Sequence, residues 1–360
     1  MHSNSSFLLI GYDTDYLETK LLELEYKPIV INVSLDTKVL STKEHLSRFL
    51  EKNSLSDKTT KCIYASGLEG RNYLYDLIES KLSICGNNLS LLDKSGFIEN
   101  FSRELRSCEL KYPKTYSIQE SPLVSDKKYL FKPVNSCGGY DISQITPKKA
   151  NSYIQEYIDG DAYSCSFIVD ENCFKLLGLN RLLNLNSHYE NDYIHAGVLM
   201  TKKRFPESLY NGIEKLARIL KMRGFNGIDF IYDGNDYYII DINPRLTSPF
   251  FLYNDISDNE LLKGQIVGRY NWEKIDYENK PISGFAHIFT KDDVVFTEKS
   301  IEDINCINTP HNGDIVKRGD PLFTLLSKEN DYNKNINNLK RQIEITKEHF
   351  NIYDIMFSHE

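Results

Sequence analysis

The chain has 360 residues, which is enough for two or three domains with sizeable cores. Apolar residues make up 41% and charged residues 26%, a composition that argues against a disordered chain and against a membrane protein. The net charge of −8 at pH 7 does not favour binding to nucleic acid or to an anionic membrane. An anionic ligand would therefore have to be held by a local group of cations.

The cysteines and the first residues bear on the compartment. Seven cysteines are scattered along the chain without a C-x-x-C pair, which argues against a disulfide framework and against a zinc site. The apolar run at residues 7–10 is too short for a signal sequence or a membrane span. We therefore expect reduced thiols and a cytoplasmic location.

The first 90 residues alternate between short apolar runs and helical patterns. Runs at 7–10, 29–33 and 62–65 predict buried strands, and the apolar spacing at 16–24 and 73–78 predicts helices. This alternation is typical of a parallel, doubly wound sheet. Gly11 follows the first strand alone, without G-x-G-x-x-G, so the sequence gives little support for a dinucleotide site there.

The pattern changes after residue 111. Strands are predicted at 129–133 and 154–158 around a glycine-rich loop, followed by a hairpin of strands at 164–169 and 175–179. Residues 207–222 have one apolar helical face, with Gly224 near the expected C-cap. After Trp272, short strands predict a small β-module, and 336–350 predicts a terminal helix with one apolar stripe.

The strongest site pattern is a pair of aspartates on a predicted hairpin. Asp241 and Asn243 are two residues apart on one strand, so their oxygens face the same side and suit a hard cation such as magnesium. Asp229 joins them only if it lies opposite Asp241, and a plain two-residue turn at 234–235 would turn it away. We therefore predict a three- or five-residue connection, or a β-bulge, with Gly234 or Asn235 in the left-handed conformation.

The order of five segments strongly resembles the ATP-grasp superfamily. They are Lys132-Pro133, Ser136-Cys137-Gly138-Gly139, Gln155-Glu156-Tyr157-Ile158-Asp159-Gly160, Gly227-Ile228-Asp229 and Asp241-Ile242-Asn243-Pro244-Arg245. The resemblance covers roughly residues 91–268, and within the superfamily it is closest to the carboligase branch related to biotin carboxylase and carboxylate–amine ligases. The implied architecture is α/β with three parts: a Rossmann-like domain at 1–90, an ATP-grasp domain at 91–275 with a lid subdomain at about 111–160, and a β-module with terminal helix at 276–360.

The resemblance also implies roles for individual residues around ATP. Lys94 and Lys132 correspond to the lysines that contact the phosphates. The loop over the β- and γ-phosphates corresponds to Ser136, Cys137, Gly138 and Gly139, and the adenine hinge to Gln155, Glu156, Tyr157 and Ile158. The usual acidic ribose contact is replaced by Ala162, with Asp161 one position early.

The remaining implied roles concern the transferred phosphoryl group. Asp229, Asp241 and Asn243 correspond to ligands of two Mg²⁺ ions, or Mn²⁺ in their place, and Arg245 to the residue placed against that group. Arg181 and Glu69 are weaker candidates for substrate contacts, and for Glu69 a plain loop role stays open. His188 and His195 are expected to be surface or core residues, because a histidine in such a stretch is more often either than a catalyst.

The function implied by the resemblance is an ATP-dependent carboxylate–amine ligase that works through an acyl phosphate. Two alternatives stay open: carboxylation as in biotin carboxylase, suggested by the C-terminal pattern, and ATP binding without turnover, suggested by Gln155 and Ala162. The expected partners are a small carboxylate and a small amine, with neither nucleic acid nor membrane, and a homodimer stays open.

Overall fold

The computed structural model describes residues 6–12, 14–55, 57–120, 127–171, 173–186, 193–275 and 281–357. In these ranges the strands form a four-stranded, a three-stranded and a nine-stranded sheet, together with a two-stranded ribbon. The helices found there are too short or too polar to cross a bilayer.

The four-stranded sheet is built from the first 84 residues. Its elements are β1 (Phe7–Gly11), α1 (Asp15–Glu23), β2 (Pro28–Asn32), α2 (Lys43–Lys52), β3 (Lys61–Tyr64), α3 (Tyr75–Lys81) and β4 (Ser83–Ile84). The strands are all parallel, in the order β2-β1-β3-β4, which confirms the predicted parallel sheet. All five residues of β1 are buried, because α1 packs on one face of the strand and α2 and α3 on the other.

A small antiparallel sheet follows. It is reached through α4 (Leu89–Ser95) and α5 (Ser102–Ser107) and consists of β5 (Thr115–Ser117), β6 (Tyr129–Pro133) and β7 (Ser152–Glu156). The strand order is β5-β7-β6. The glycine-rich segment 136–139 leaves the end of β6, at the side where this sheet meets the large cleft of the molecule.

The nine-stranded sheet contains strands from both the middle and the end of the chain. Its order is β12-β11-β8-β9-β10-β13-β17-β15, and β18 also pairs with β9. The elements of this part are β8 (Asp161–Val169), β9 (Phe174–Asn186), β10 (His195–Thr201), α6 (Glu207–Ile219), β11 (Gly224–Tyr232), β12 (Tyr237–Asn243), α7 (Phe250–Ile256), α8 (Glu260–Val267), β13 (Ile282–Phe289), β14 (Val294–Val295), β15 (Cys306–Ile307), β16 (Ile315–Val316), β17 (Pro321–Glu329), α9 (Tyr332–His349) and β18 (Asp354–Met356).

The two faces of β8 and β11 have different surroundings. Alternate side chains such as Tyr163, Phe167 and Phe230 pack with the apolar face of α6 in one core. The side chains between them, Ala162 and Ser164, face the cleft. This alternation decides which predicted site residues can reach a ligand.

Two local expectations differ from the structure. α6 ends at Ile219, and the backbone reverses at Lys221, which has φ +50°; Gly224 begins β11 instead of capping the helix. The predicted C-terminal strands exist, but β13 pairs with β10 and β17 with β13, so they continue the large sheet, while β14 and β16 form the separate ribbon. The domain boundaries proposed from the sequence stay predictions.

Candidate active site

A cleft of about 1500 Å³ is lined by residues of all three sheets. Its floor is the face of the nine-stranded sheet that carries Ala162 and Ser164 on β8. The glycine-rich loop after β6 and the segment after β7 line another side. Residues that follow the carboxyl ends of β1 and β3, including Tyr12 and Glu69, complete it, as is usual for ligand sites of doubly wound sheets.

The hairpin of β11 and β12 places two aspartates opposite each other. Asp229 pairs with Asp241, whereas pairs nearer the turn, such as Phe230 with Ile239, are shifted by one residue. This β-bulge compensates for a two-residue turn in which Gly234 has φ +99°. The predicted bulge and the left-handed Gly234 are therefore confirmed, and both carboxylates line the cleft.

These aspartates and Asn243 form a compact group of oxygen donors. Asn243 Nδ2 donates to Asp229 Oδ2 over 3.1 Å. Burial, and then the charge of Asp241, raise the pKa of Asp229 to about 7, and burial also raises the pKa of Asp241. Two carboxylates so close together repel each other unless a proton or a cation neutralises them. The group therefore fits a hard divalent cation.

A magnesium ion would need further ligands at this point. The described ranges contain no group of three or more His, Cys, Asp or Glu side chains placed to hold a metal. Asp229, Asp241 and Asn243 would therefore supply part of the coordination shell, with water and substrate oxygens filling the rest, which is the usual arrangement for Mg²⁺. Their role as metal ligands stays a prediction.

Arg245 is fixed in the cleft by a buried ion pair. Its Nε donates to Glu69 Oε1 over 2.5 Å, and its Nη2 donates to Asn243 Oδ1 over 3.1 Å. The side chains of Arg245 and Glu69 are only 8% and 7% exposed. Burial alone would lower the pKa of Arg245, but the charge of Glu69 raises it, so the guanidinium stays cationic. Glu69 lies in the cleft, where its carboxylate also accepts from the N–H of Gly67 over 2.6 Å.

Lys132 brings a second cation to the same place. Its Nζ lies 3.4 Å from Gln155 Oε1, 3.3 Å from the carbonyl oxygen of Ile240 and 5.8 Å from the centre of the Tyr153 ring. Burial alone would lower the pKa of Lys132, but Tyr153 and the charge of Asp241 raise it. Lys132 thus lines the same cleft as the two aspartates, and its contact with the ATP phosphates stays a prediction.

The glycine-rich loop lies against the beginning of β10. All four of its predicted residues line the cleft: Ser136, Cys137, Gly138 and Gly139. Gly139 has φ +76°, and a Cβ atom there would lie 1.8 Å from the carbonyl oxygen of Tyr193. The carbonyl oxygen of Gly138 accepts from the N–H of His195 over 2.9 Å. This approach requires glycine.

The predicted adenine hinge also lines the cleft. Its residues are Gln155, Glu156, Tyr157 and Ile158. Backbone bonds tie the segment to its neighbours, since the N–H of Glu156 donates to Lys114 O over 2.8 Å and that of Tyr157 to Lys128 O over 2.9 Å. The contact with adenine stays a prediction.

Two expected contacts, Asp161 and Arg181, lie on the wrong face of the sheet. They form an ion pair with each other, and the guanidinium of Arg181 lies 4.7 Å from the centre of the Tyr163 ring. Tyr163 belongs to the core under α6, whereas Ala162 faces the cleft. Neither Asp161 nor Arg181 is among the described residues that line the cleft, so this geometry does not favour their proposed contacts with ribose and with a substrate carboxylate, which stay predictions.

Lys94 is also placed away from the cleft. Its Nζ lies 2.7 Å from Glu104 Oε1 and 4.7 Å from the centre of the Phe101 ring. The following residues, Ser95 and Gly96, do line the cleft. The helix phase of α4 therefore turns the expected phosphate contact towards α5.

The cleft also contains residues outside the predicted site. Tyr12 and Arg71 follow the ends of β1 and β3, where the carboxyl-end rule could have found them. His195 and His287 line the sheet side, so His195 is a cleft residue; His188 lies outside the described residues. No local motif marks either of these cleft histidines.

Comparisons with known proteins agree with this geometry. Residues 99–249 match the family model of the ATP-grasp domain. The tyramine–L-glutamate ligase of Methanocaldococcus jannaschii is 27% identical over 172 residues, which are 48% of this chain and 49% of that enzyme.

Solved structures extend the likeness to the whole chain. The L-amino acid ligase of Bacillus licheniformis has a TM-score of 0.72 at 11% identity, with all of both chains covered. Biotin carboxylase of Campylobacter jejuni, solved with a β,γ-ATP compound, has a TM-score of 0.69 at 12% identity, covering 98% of this chain and 92% of that one. At such identities the likeness shows the fold. The family match itself is confined to residues 99–249, where the chain resembles an ATP-grasp domain.

Proposed function

We propose that the protein is an ATP-dependent carboxylate–amine ligase that forms an amide or peptide-like bond on a small metabolite. The observation that carries the proposal is the meeting of Asp229, Asp241, Asn243, Arg245 and Lys132 in one cleft. These residues come from the three segments Lys132-Pro133, Gly227-Ile228-Asp229 and Asp241 to Arg245, and they combine cation-binding oxygens with two fixed positive charges.

The charges suit the formation of an acyl phosphate. An oxygen of the substrate carboxylate attacks the γ-phosphorus of ATP, the bond from that phosphorus to the β–γ bridging oxygen breaks, and ADP leaves with the electron pair. Under this proposal Lys132 and Arg245 face the phosphates, on which negative charge accumulates. Their cations need no reorganisation during the step, because Glu69 and the neighbouring carbonyl groups already hold them. Magnesium, when bound, neutralises the phosphate oxygens.

The second step forms the C–N bond. The amine nitrogen attacks the acyl carbon, the bond from that carbon to the phosphate oxygen breaks, phosphate leaves with the electron pair, and the nitrogen releases a proton to solvent. No covalent nucleophile of the protein is needed, so the residues of the cleft act by orientation and charge. The names of the tyramine–L-glutamate ligase and of the L-amino acid ligase, both similar to this chain, support this type of reaction.

A trapping assay tests the proposal. The full chain is incubated with ATP, MgCl₂, a panel of carboxylic acids and hydroxylamine, and ADP and hydroxamate are measured. We expect both products together with at least one carboxylate, because hydroxylamine intercepts an acyl phosphate. Turnover that requires bicarbonate and biotin would replace the ligase with a carboxylase, and tight ATP binding without ADP release would replace it with a non-catalytic ATP-binding protein.

Two substitutions test the proposed chemistry. Asp241→Asn and Arg245→Ala should each lower hydroxamate formation by about 10²–10³-fold, the usual loss when one preorganised charge is removed from a transition state. Asp76→Asn and Arg48→Ala are matched controls, because these side chains are 94% and 71% exposed. Activity close to that of the controls in both cleft variants would refute the assigned roles.

A further inference from the structure

The cleft has an end that the proposed phosphoryl chemistry does not use. We define the histidine end by His195 on β10, His287 on β13 and Thr324 on β17, with Leu182 on β9 and Phe289 on β13 beside them. These strands lie in one row of the sheet, on the side away from β11 and β12. The histidine end therefore belongs to the same cleft as Asp229 and Asp241, and it is built from different strands.

The two imidazoles are held in defined positions. Their ring centres are 6.0 Å apart, and the planes are nearly perpendicular, at 72°. His287 Nδ1 lies 2.8 Å from Thr324 Oγ1, and the two residues face each other across β13 and β17. Burial lowers the pKa of His195 to about 4; burial and the neighbouring His195 lower the pKa of His287 to about 3. Both rings are thus neutral at physiological pH, and a neutral imidazole offers one acceptor and one donor.

In the part of the chain that the structure describes, the lining of this end carries no positive charge. Among described residues, those that β9, β10, β13, β17 and β18 contribute to the cleft are Leu182, Asn184, His195, His287, Phe289, Pro321, Phe323, Thr324 and Met356. Asp320, next to β17, adds a negative charge to the cleft. The cations that line the cleft, Lys132, Arg245, Arg71 and Lys149, come from other elements. A carboxylate placed at the histidine end would therefore lose water without gaining a counter-charge.

The histidine end also adjoins the glycine-rich loop. The N–H of His195 donates to the carbonyl oxygen of Gly138, and Gly139 packs on the backbone of Tyr193. A molecule bound here would lie next to the loop that, under the proposed function, covers the transferred phosphoryl group. That is where the second substrate of a ligase must approach the acyl carbon.

From these observations we infer that the histidine end binds the acceptor, and that the acceptor is a primary amine with an uncharged body and no carboxylate. The inference rests on the proposed ligase function and deepens it. The imidazoles and Asn184 supply hydrogen-bonding groups for the amine, Asp320 adds a charge of favourable sign, and Leu182 and Phe289 supply apolar contact for the body. The donor carboxylate goes to the other end, beside Arg245 and Lys132.

Pairs of acceptors that differ only by a carboxylate test the inference. With a donor identified by hydroxamate trapping, the full chain is given phenethylamine or L-phenylalanine, and isoamylamine or L-leucine, and amide and ADP are measured. We expect kcat/KM for the amine of a pair to exceed that for the amino acid by about tenfold or more, because the carboxylate would have to be desolvated without a partner. This comparison uses the unmodified protein, so it does not depend on the folding of a variant.

A charge substitution provides the second measurement. His287→Lys should reduce the ratio of amine to amino-acid kcat/KM by about fivefold or more, since it places a cation at the histidine end. His311→Lys is the matched control, because the side chain of His311 is 95% exposed. We expect the control to keep the ratio of the unmodified protein.

The outcomes separate the two proposals. Hydroxamate with some carboxylate, together with equal or better use of the amino acids, would overturn the acceptor assignment alone. An unchanged ratio in a folded His287→Lys protein would also overturn it. Failure to form hydroxamate with every carboxylate would overturn the ligase function, and the acceptor assignment with it. A higher kcat/KM for the amines than for the amino acids, with a smaller ratio in His287→Lys, would support both the ligase function and the acceptor assignment.

Discussion

Replacing Glu69 by glutamine would test how Arg245 is held in the cleft. The change removes one negative charge and keeps the size of the side chain. Arg245 Nε lies 2.5 Å from Glu69 Oε1, and both side chains are less than a tenth exposed. Removing one partner of a buried ion pair costs about 3–5 kcal/mol, because the other charge stays buried. Glutamine keeps an oxygen that can accept from Nε, so we expect the lower limit, about 3 kcal/mol.

The expected loss can be measured by thermal unfolding and by turnover. A change of 1 kcal/mol shifts the melting temperature of a domain of 150–250 residues by about 2–4 °C, so Glu69→Gln should melt roughly 6–12 °C lower. Hydroxamate formation should fall by about 10–100-fold in kcat with a smaller change in the KM for ATP, since the orientation of Arg245 is lost rather than the nucleotide contacts.

Glu104→Gln is the matched control for this experiment. It also removes the carboxylate of an ion pair, that with Lys94, but the side chains of Lys94 and Glu104 are 35% and 22% exposed and do not line the cleft. Exposed pairs contribute about 0–1 kcal/mol, so the melting temperature should drop by less than about 4 °C. If Glu69→Gln melts and turns over like Glu104→Gln, the argument that Glu69 positions Arg245 is wrong.

Three further substitutions have expected outcomes. Gly139→Ala should weaken ATP binding in calorimetry by about tenfold or more, because the new Cβ meets the Tyr193 carbonyl. Gly313→Ala, also at positive φ but in open space, should leave ATP binding unchanged. Equal effects of the two substitutions would show that the contact between residue 139 and Tyr193 does not matter for ATP binding. In steady-state kinetics, Lys132→Ala should raise the KM for ATP at least about tenfold, and Lys94→Ala should raise it less than about threefold. A larger effect of Lys94→Ala would support the expectation that Lys94 contacts the ATP phosphates. His287 stays neutral in the folded protein, whereas a histidine in the unfolded chain protonates below about pH 6.5. The free energy of unfolding therefore decreases as the pH falls below about 6.5. The free energy of unfolding of His287→Gln, measured with urea, should therefore depend less on pH between 6.5 and 5 than that of the unmodified protein, by up to about 1.4 kcal/mol per pH unit. If the two proteins show the same pH dependence, the buried imidazole of His287 does not contribute to it.

The hairpin register could be predicted because it depends on one local rule. Side chains on a strand alternate between faces, so Asp229 and Asp241 can meet only with an irregular connection, and the bulge follows from that requirement. The glycine-rich loop and Lys132 were found through the order of motifs. These features lie within short segments, where sequence spacing and spatial position are closely related.

The positions of Lys94, Arg181 and the two cleft histidines depend on relations between distant segments. Which face of β9 carries Arg181 depends on where α6 packs, and α6 comes more than 20 residues later. The direction of Lys94 depends on the packing of α4 against α5 and its Glu104. The histidine end joins β10 to β13, which are separated by more than 80 residues, so no pattern within either strand reveals it. Tertiary packing decides all three.

The pairing of β10 with β13 has a consequence for separating or recombining parts of this chain. If the chain were cut near residue 275, β10 would become an edge strand with unpaired backbone groups, and association through that edge would be expected. The same pairing places His287 and Thr324 on a segment that carries neither Asp229 nor Asp241. Residues after 281 could therefore change in relatives while the hairpin that carries Asp229 and Asp241 stays the same.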